Sequence, residues 1–167
     1  MRARAVALGL AVVAAVAVVV GIVLLVRDDG EDTKPRLVLG ATPASAPFGG
    51  LTETQLAVGG RCVRVVVADN ETERAQGLRQ RRDLGPYDGM LFVFDAPTQA
   101  TFTMSTVPIA LDIGFYAADG APVSRRHMKP CPHAEAECPV YDAGAQFVYA
   151  LETLGGKLPQ GALSGCS

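Results

Sequence analysis

The sequence predicts a compact, mainly β domain that follows an N-terminal membrane helix. Residues 5–26 form a long uncharged apolar run, and beyond residue 54 short β-rich runs alternate with Gly- and Pro-containing turns. Within this second part, a segment near residue 70 has the pattern of a helix start. Short strands at nearly regular spacing favour a barrel-like or folded antiparallel sheet, here with one short helix.

The apolar run is long enough to cross a bilayer. Its 22 residues consist only of Ala, Val, Ile, Leu and Gly, and a helix of that length reaches roughly 33 Å. A cleavable signal peptide has a shorter apolar region that is closely followed by a small-x-small site, whereas this run is followed by Arg27-Asp28-Asp29. We therefore expect residues 5–26 to be a retained transmembrane signal anchor.

The charges beside the anchor predict its orientation. Two arginines and the amino terminus precede the anchor and one arginine follows it, a distribution that favours a cytoplasmic N-terminus. Residues 1–4 would form a cytoplasmic tail, residues 27–53 a flexible linker rich in Pro, Gly, Ala and Ser, and residues 54–167 an extracytoplasmic domain. The expected localisation is the cell membrane, with a single pass.

The composition of the exported part excludes several functions. Its ten Lys and Arg residues face twelve Asp and Glu residues, so the net charge offers no general attraction for nucleic acid. The sequence contains no phosphate-binding Gly-rich loop, no Gly-x-Ser-x-Gly turn and no His-Glu-x-x-His helix. We therefore expect no cofactor. The length of residues 54–167 suits one domain with its own hydrophobic core.

The cysteines predict two disulfides on the exported side. Extracytoplasmic thiols tend to be oxidised, and the four cysteines permit three pairings. Cys131 and Cys138 would close a short loop. By elimination, Cys62 would then pair with Cys166 and tie the end of the chain to an early strand.

The same region contains an arrangement that could bind zinc. His127-x3-Cys131-x-His133-x4-Cys138 brings four residues of the ligating types close together in the sequence. The spacing is unlike the usual finger and ribbon patterns, and an oxidised cysteine pair cannot bind the metal. A disulfide-closed loop with two incidental histidines is the favoured interpretation, so we expect no metal site.

The first hairpin and the helix are predicted by turn and capping residues. Residues 55–58 and 61–68 are β-rich and flank a Gly-Gly turn. Asn70 is placed to cap a helix, with Glu73 three residues later as in a capping box. Gly77 follows soon after, so the helix is expected to be short.

The remaining strands are predicted by apolar runs that lie between turn residues. These runs cover residues 90–94, 100–104, 109–116, 122–128 and 146–152. Asp119-Gly120 separates two of the runs and predicts a second hairpin. A loop that contains Cys, Pro and His residues spans about residues 129–142.

Several short motifs share their order and spacing with a known family. They are Glu73-Arg74-Ala75-Gln76-Gly77-Leu78, Arg81, Leu84, Gly89-Met90-Leu91-Phe92-Val93-Phe94, Phe102, Met104, Leu111-Asp112-Ile113, Asp119-Gly120 and Tyr149-Ala150-Leu151-Glu152. Together they resemble the DUF192 family of prokaryotic proteins over residues 54–155. The family has a compact, largely β fold and no established activity, so the resemblance implies architecture more than mechanism. At residues 102–107 the chain lacks the Trp, Lys and Asn that members often have, so no role of these side chains can be transferred.

Asp112 is the first residue that could carry chemistry. It lies inside an apolar run, where a carboxylate is costly unless it is paired or hydrogen-bonded. Arg74 and Arg81 belong to the motifs shared with the family and are the expected partners. Two interpretations remain open: Asp112 forms a polar pocket with an arginine and Glu152, or it has a structural role, as part of a buried ion pair or as an acid that caps a turn.

A binding pocket is accordingly predicted from residues of the shared motifs. Its members are Arg74, Arg81, Met104, Asp112, Tyr149 and Glu152. The basic residues between positions 74 and 82 could hold a small anion, although acids near them could also neutralise them. The leading hypothesis is a binding or accessory module for a small anionic ligand or an envelope partner. The alternative is an enzyme that uses Asp112 and Glu152 as acid and base, with or without a metal.

Overall fold

Eight strands of the described chain form one open, mixed β-sheet. The computed structural model describes residues 36–37 and 39–166, so the predicted tail and anchor lie outside the described residues. The strands are β1 (Thr42–Pro43), β2 (Thr52–Val58), β3 (Arg61–Ala68), β4 (Gly89–Thr98), β5 (Phe102–Thr103), β6 (Leu111–Tyr116), β7 (Pro122–Met128), β8 (Val140–Tyr141), β9 (Phe147–Leu154) and β10 (Leu163–Gly165). Helical structure is limited, over this range, to α1 (Glu71–Gln76) and a 3-10 turn at Glu135–Glu137. None of these helices is long and apolar enough to span a membrane.

The prediction of a mainly β fold is confirmed. Of the two predicted arrangements, the barrel-like one is wrong, and the sheet is mixed rather than wholly antiparallel. The strand order is β1-β2-β3-β4-β9-β6-β7, and β10 also pairs with β2. The outer edge of β2 is occupied by β1 and β10, so the sheet does not close onto β7. The pair β3–β4 is parallel, because α1 carries the chain from the end of one strand back to the start of the next.

Both predicted hairpins are present. In the first, Val58 pairs with Arg61, and Gly59 and Gly60 have φ angles of 57° and 85°. These positive angles are those of a tight hairpin turn, which glycine adopts without steric cost. In the second hairpin, Asp119 accepts a hydrogen bond from the Ala121 N–H and stabilises the turn between β6 and β7.

The predicted cap begins α1. The Asn70 side chain accepts a hydrogen bond from the Glu73 N–H at 3.0 Å, while the Glu73 carboxylate accepts one from the Asp69 N–H at 3.1 Å. The first bond satisfies a donor that the first turn of a helix leaves without a partner, and the second links Glu73 to the residue before the cap. Gly77, with a φ angle of 46°, ends the helix, and its N–H donates to the Glu73 carbonyl.

The sheet has an apolar core on each face. Met90, Phe92 and Ala150 belong to the core on the side of α1, which we call the α1 face. Leu91 and Tyr149 belong to the core on the opposite face. Side chains alternate along a strand, so β4 and β9 contribute to both cores, and residues 89–92 and 147–153 are buried on both sides.

Part of the segment predicted as a flexible linker is packed against the sheet. β1 pairs with β2, and Phe48 is 2% exposed, with its ring edge-on to Tyr87 at 5.6 Å. The Tyr87 hydroxyl accepts a hydrogen bond from the Ser45 N–H at 2.7 Å. The folded unit therefore includes residues 42–53.

The cysteines of the described chain form the two pairs that the sequence favours. Cys62 is joined to Cys166, with a Cα–Cα distance of 5.7 Å, and Cys131 to Cys138, with 5.9 Å. Among the described residues no cysteine is free. Because Cys131 and Cys138 are oxidised, two of the four possible zinc ligands in this loop cannot bind the metal.

Candidate functional site

A cavity of about 390 Å³ lies on the α1 face. It is bounded by α1, β4, β5 and the end of β9, and we call it the Glu152 cavity. The lining residues are Glu71, Arg74, Ala75, Gln76, Gly77, Leu78, Arg79, Phe92, Phe94, Ala100, Thr101, Phe102, Thr103, Val107, Glu135 and Glu152. Its volume falls within the range of small-molecule sites.

Glu152 reaches this cavity because of its register in β9. It pairs with Met90 of β4 on one side and with Ile113 of β6 on the other, so the three side chains share the α1 face. The residue is only 4% exposed. Among residues 36–37 and 39–166, no group hydrogen-bonds or ion-pairs with its carboxyl. Its oxygens are open to the cavity, because no fully buried side-chain oxygen of these residues lacks a partner. Burial raises the pKa of Glu152 to about 8, because the charged form loses its hydration without gaining a partner.

One wall of the cavity is aromatic. Phe92 and Phe102 meet edge to face at a centroid distance of 5.1 Å, and Phe94 meets Phe147 in the same way at 5.4 Å. Phe102 also packs against Phe115 at 5.6 Å. These contacts fix the ring orientations, so the wall is a preformed apolar surface.

Arg74 is held at the cavity by two backbone carbonyls and one ring. Its Nη1 donates to the Asp69 carbonyl at 2.6 Å and to the Val93 carbonyl at 2.8 Å. The guanidinium carbon lies 4.9 Å from the centroid of the Phe94 ring, in a cation–π contact. The guanidinium Nε and Nη2 form no hydrogen bond with any described residue, so both can donate hydrogen bonds to a ligand.

Arg79 and Glu135 form the rim of the cavity. Arg79 Nε donates to the Ala75 carbonyl, Nη1 to the Ser105 carbonyl at 3.1 Å, and Nη2 to the Glu135 carboxylate at 3.2 Å. Glu135 lies in the 3-10 turn of the loop that the Cys131–Cys138 disulfide closes. The disulfide therefore restrains the acidic side of the rim.

A second cavity, of about 310 Å³, lies on the other side of the α1 C-terminus. It shares Gln76 and Gly77 with the Glu152 cavity and is also lined by Phe48 and Arg81. The Arg81 guanidinium carbon lies 4.7 Å from the centroid of the Phe48 ring. Arg81, one of the residues predicted for the pocket, therefore lines a different cavity from Glu152.

Asp112 lies on the face of the sheet opposite Glu152. It pairs with Thr153 and with His127, one register position away from the Ile113–Glu152 pair, and successive side chains point to opposite faces. The Asp112 carboxylate contacts His127 Nδ1 at 2.7 Å and accepts a hydrogen bond from the Gly156 N–H at 2.7 Å. The expectation of an arginine partner is wrong, because the register brings a histidine and a backbone amide to this carboxylate.

Tyr149 and Met104 also lie away from the Glu152 cavity. Tyr149 is in the core of the opposite face, where its hydroxyl accepts a hydrogen bond from the Leu37 N–H at 3.1 Å. Met104 is fully buried in the core of the α1 face. Of the six predicted residues, the structure thus brings Arg74 and Glu152 together.

Several residues of the cavity are outside the predicted set. They are Arg79, Phe92, Phe94, Phe102 and Glu135. A signal for two of them exists in the sequence, because Phe92 and Phe94 lie two positions apart in a strand and must share a face. The sequence contains no such signal for Glu135, because its position at the cavity depends on how the disulfide loop packs against the sheet. Within the described part of the chain, no group of three or more His, Cys, Asp or Glu residues is arranged to hold a metal.

The fold and the cavity define a class of protein: a small, open, mainly β domain with a concave site beside a short crossover helix. The model of the DUF192 family, described as "Uncharacterized ACR", matches residues 54–164. The chain belongs to the DUF192 family. No curated protein matches its sequence.

Two solved structures are similar to this chain. One is a protein of unknown function from Novosphingobium aromaticivorans DSM 12444, with 31% sequence identity and a TM-score of 0.59, covering 70% of this chain and 84% of that one. The other is from Sinorhizobium meliloti 1021, with 29% identity and a TM-score of 0.55, covering 66% of this chain and 90% of that one. The name of the second protein proposes a role in transcription regulation.

Proposed function

We propose that the domain is a binding module for a small organic ligand, and that the Glu152 cavity is its site. The observation that carries the proposal is Glu152 itself, which is 4% exposed and has no partner in the described residues. A buried polar group without a partner reduces the stability of the fold, and a ligand that supplies the partner offsets this cost. An aromatic-lined cavity with a few convergent polar groups and a perturbed carboxyl is typical of a ligand site.

Two arginines support a ligand that carries an anionic group. Arg74 and Arg79 line the cavity, and their guanidinium groups are positioned by backbone carbonyls. A guanidinium that is already oriented binds a carboxylate or phosphate with little further loss of side-chain entropy. We favour a small ligand over a protein of the envelope, because the site is concave and its polar groups converge.

The alternative function is an enzyme with Asp112 and Glu152 as acid and base. Such a mechanism needs both carboxyls in one cleft, on either side of the reacting bond. Their position on opposite faces of the sheet speaks against this mechanism. The Asp112 carboxylate is also engaged by His127 and Gly156.

We further propose that the domain is displayed outside the cytoplasm, tethered to the cell membrane by residues 5–26. The two disulfides support an oxidising compartment. Protease added to intact cells or spheroplasts should digest the domain, and labelling of the intact protein should detect no reactive thiol. Full-length protein in the soluble fraction, or four reactive thiols, would contradict the tether or the disulfides respectively.

The binding proposal is tested by filling the cavity. Ala75 lies on α1, is exposed and lines the Glu152 cavity. In a screen of small aromatic acids, amines and alcohols against the full chain, Ala75→Trp should weaken the affinity of compounds that bind the native protein at least tenfold. Ala145→Trp, at an exposed position outside both cavities, is the matched control and should bind normally. Equal affinities for the native protein and the Ala75 variant would place the site elsewhere.

A further inference from the structure

We infer that the ligand of the Glu152 cavity carries a basic amine, which pairs with the Glu152 carboxylate beside the phenylalanine wall. This inference rests on the proposed function and assigns the chemical class of its ligand. It is carried by the cavity, by the missing partner of Glu152 in the described residues and by the aromatic rings around it.

No positive charge of the described residues pairs with Glu152. Its neighbours across β4 and β6 are Met90 and Ile113, which are 1% and 0% exposed and carry no charge. Arg74 and Arg79 line the same cavity, yet neither forms an ion pair with Glu152 in the described structure. A carboxyl of this kind is best satisfied by a cation that a ligand brings, since ion pairing is strong where water is excluded.

The aromatic wall suits a cation as well. Phenylalanine faces attract ammonium and guanidinium groups through the quadrupole of the ring. Arg74 already uses this attraction, because its guanidinium lies 4.9 Å from the centroid of the Phe94 ring. Phe92 and Phe102 line the cavity as well and provide an apolar surface for the hydrocarbon part of the ligand.

An amine at Glu152 is compatible with an anionic group at the arginines. The charged residues that line the cavity are Glu71 and Arg74 of α1, Arg79 just after it, Glu135 of the 3-10 turn and Glu152. The first four balance in charge, which leaves the Glu152 carboxylate as the excess negative group once it is ionised. The ligand is thus a small amphoteric or simply amine-bearing molecule with an apolar body, and a purely anionic one would leave Glu152 unsatisfied.

Pairing with an amine must release a proton. Burial raises the pKa of Glu152 to about 8, so near pH 6.5 the carboxyl of the free protein is protonated. An aliphatic ammonium that binds to the carboxylate displaces this proton, which leaves for solvent. At pH 9 the carboxyl is already ionised, and binding should release almost none.

The inference is tested with three probes that share a phenyl ring and a two-carbon chain. 2-Phenylethylamine ends in an amine, 2-phenylethanol in a hydroxyl and 3-phenylpropionate in a carboxylate. Calorimetry on the full chain, in two buffers of different ionisation enthalpy, gives both affinity and the number of protons exchanged. We expect the amine to bind at least tenfold more tightly than the alcohol at pH 6.5 and to release close to one proton, whereas the alcohol releases none.

Glu152→Gln separates charge from shape. The amide is nearly isosteric, and circular dichroism would establish that the variant is folded. The tenfold preference for the amine and its proton release should both disappear, while affinity for the alcohol changes less than threefold.

Other outcomes distinguish this inference from the function on which it depends. Equal affinity for amine and alcohol, tighter binding of the carboxylate, or amine binding without proton release would overturn the inference and leave the binding module intact. Failure of all three probes to bind would overturn both, and so would binding that Ala75→Trp does not weaken.

Discussion

Glu152 and Asp112 lie one register position apart on neighbouring strands, yet their environments are opposite. Asp112 retains 15% side-chain exposure and has two partners, His127 and the Gly156 amide. Glu152 is 4% exposed and has none among the described residues. At the scale of the residue, the pleat of the sheet decides which carboxylate is engaged by neighbouring groups and which faces the Glu152 cavity.

The pH dependence of stability should report Glu152 directly. In the unfolded chain its carboxyl titrates near 4.5, whereas burial raises the pKa to about 8 in the native state. Between these values the native state binds more protons than the unfolded state. The contribution of this group to the free energy of unfolding is therefore largest below pH 4.5 and falls, by up to about 1.4 kcal/mol per pH unit, as the pH rises to 8.

Urea unfolding of the native protein and of Glu152→Gln at pH 5, 6.5 and 8 measures this effect. The difference in free energy of unfolding between the two should shift in favour of the variant as the pH rises. Glu137→Gln, at an exposed carboxyl in the 3-10 turn, is the control and should follow the native curve. Parallel curves for the native protein and the Glu152 variant would contradict the buried, unpartnered carboxyl.

The environment of a single side chain is also the feature that the sequence predicts least well. The sequence shows that Glu152 ends an apolar run, but the face on which its side chain lies depends on which residues of β4 and β6 it opposes. A slip of one residue would exchange Glu152 and Thr153 between the two faces. The same uncertainty placed Asp112 and Tyr149 in the predicted pocket, although both belong to the opposite face.

At the scale of the element, α1 is a short helix with a large structural role. It connects the parallel strands β3 and β4, and its residues line both cavities. None of its residues is buried, so packing supplies little of its stability. The Asn70 cap, together with the bond that the Glu73 carboxylate accepts from the Asp69 N–H, should therefore matter more here than in a longer, buried helix.

Asn70→Ala should lower the free energy of unfolding by about 1 kcal/mol, because the first turn loses its side-chain acceptor. Asn70→Asp retains an acceptor at the same position and should differ from the native protein by much less. Chemical denaturation followed by circular dichroism provides the measurement. If the Ala and Asp variants were equally stable, the cap seen in the structure would have no energetic role.

Elements were predicted better than their arrangement. The Gly-Gly and Asp119-Gly120 turns and the cap at Asn70 carry local signals, and each has the expected form in the structure. The apolar runs contain strands, but β4 continues past residue 94 to Thr98, and the run 100–104 forms a strand at Phe102–Thr103 alone. The parallel pairing of β3 with β4 and the insertion of β9 between β4 and β6 depend on contacts between residues distant in the chain. No periodicity in one strand specifies which strand lies beside it.

At the scale of the whole molecule, the two disulfides close loops of very different length. Cys62 and Cys166 are separated by 104 residues, and Cys131 and Cys138 by 7. In the chain-entropy view, a longer loop restricts the unfolded chain more strongly. The first disulfide should therefore stabilise the fold globally, whereas the second acts chiefly on the rim of the Glu152 cavity.

Replacing each pair by alanines tests this division. Cys62→Ala with Cys166→Ala should cost roughly 4–5 kcal/mol in free energy of unfolding, and Cys131→Ala with Cys138→Ala roughly 2.5 kcal/mol. The second double variant should in addition weaken probe binding, since Glu135 and Arg79 lose a fixed loop. Equal losses of stability, or an unchanged affinity in the second variant, would contradict the respective assignment.

The link between Cys62 and Cys166 also determines how tension travels through the protein. If the chain is pulled at its N-terminal side and at Cys166, the covalent path runs through residues 42–62 and crosses directly to Cys166. Residues 63–165 then form a closed loop that the pulling force bypasses. This loop contains every residue that lines the Glu152 cavity. A domain pulled at both ends would thus carry the force through β1, β2 and the first residues of β3, while the backbone around the cavity stayed outside the covalent path.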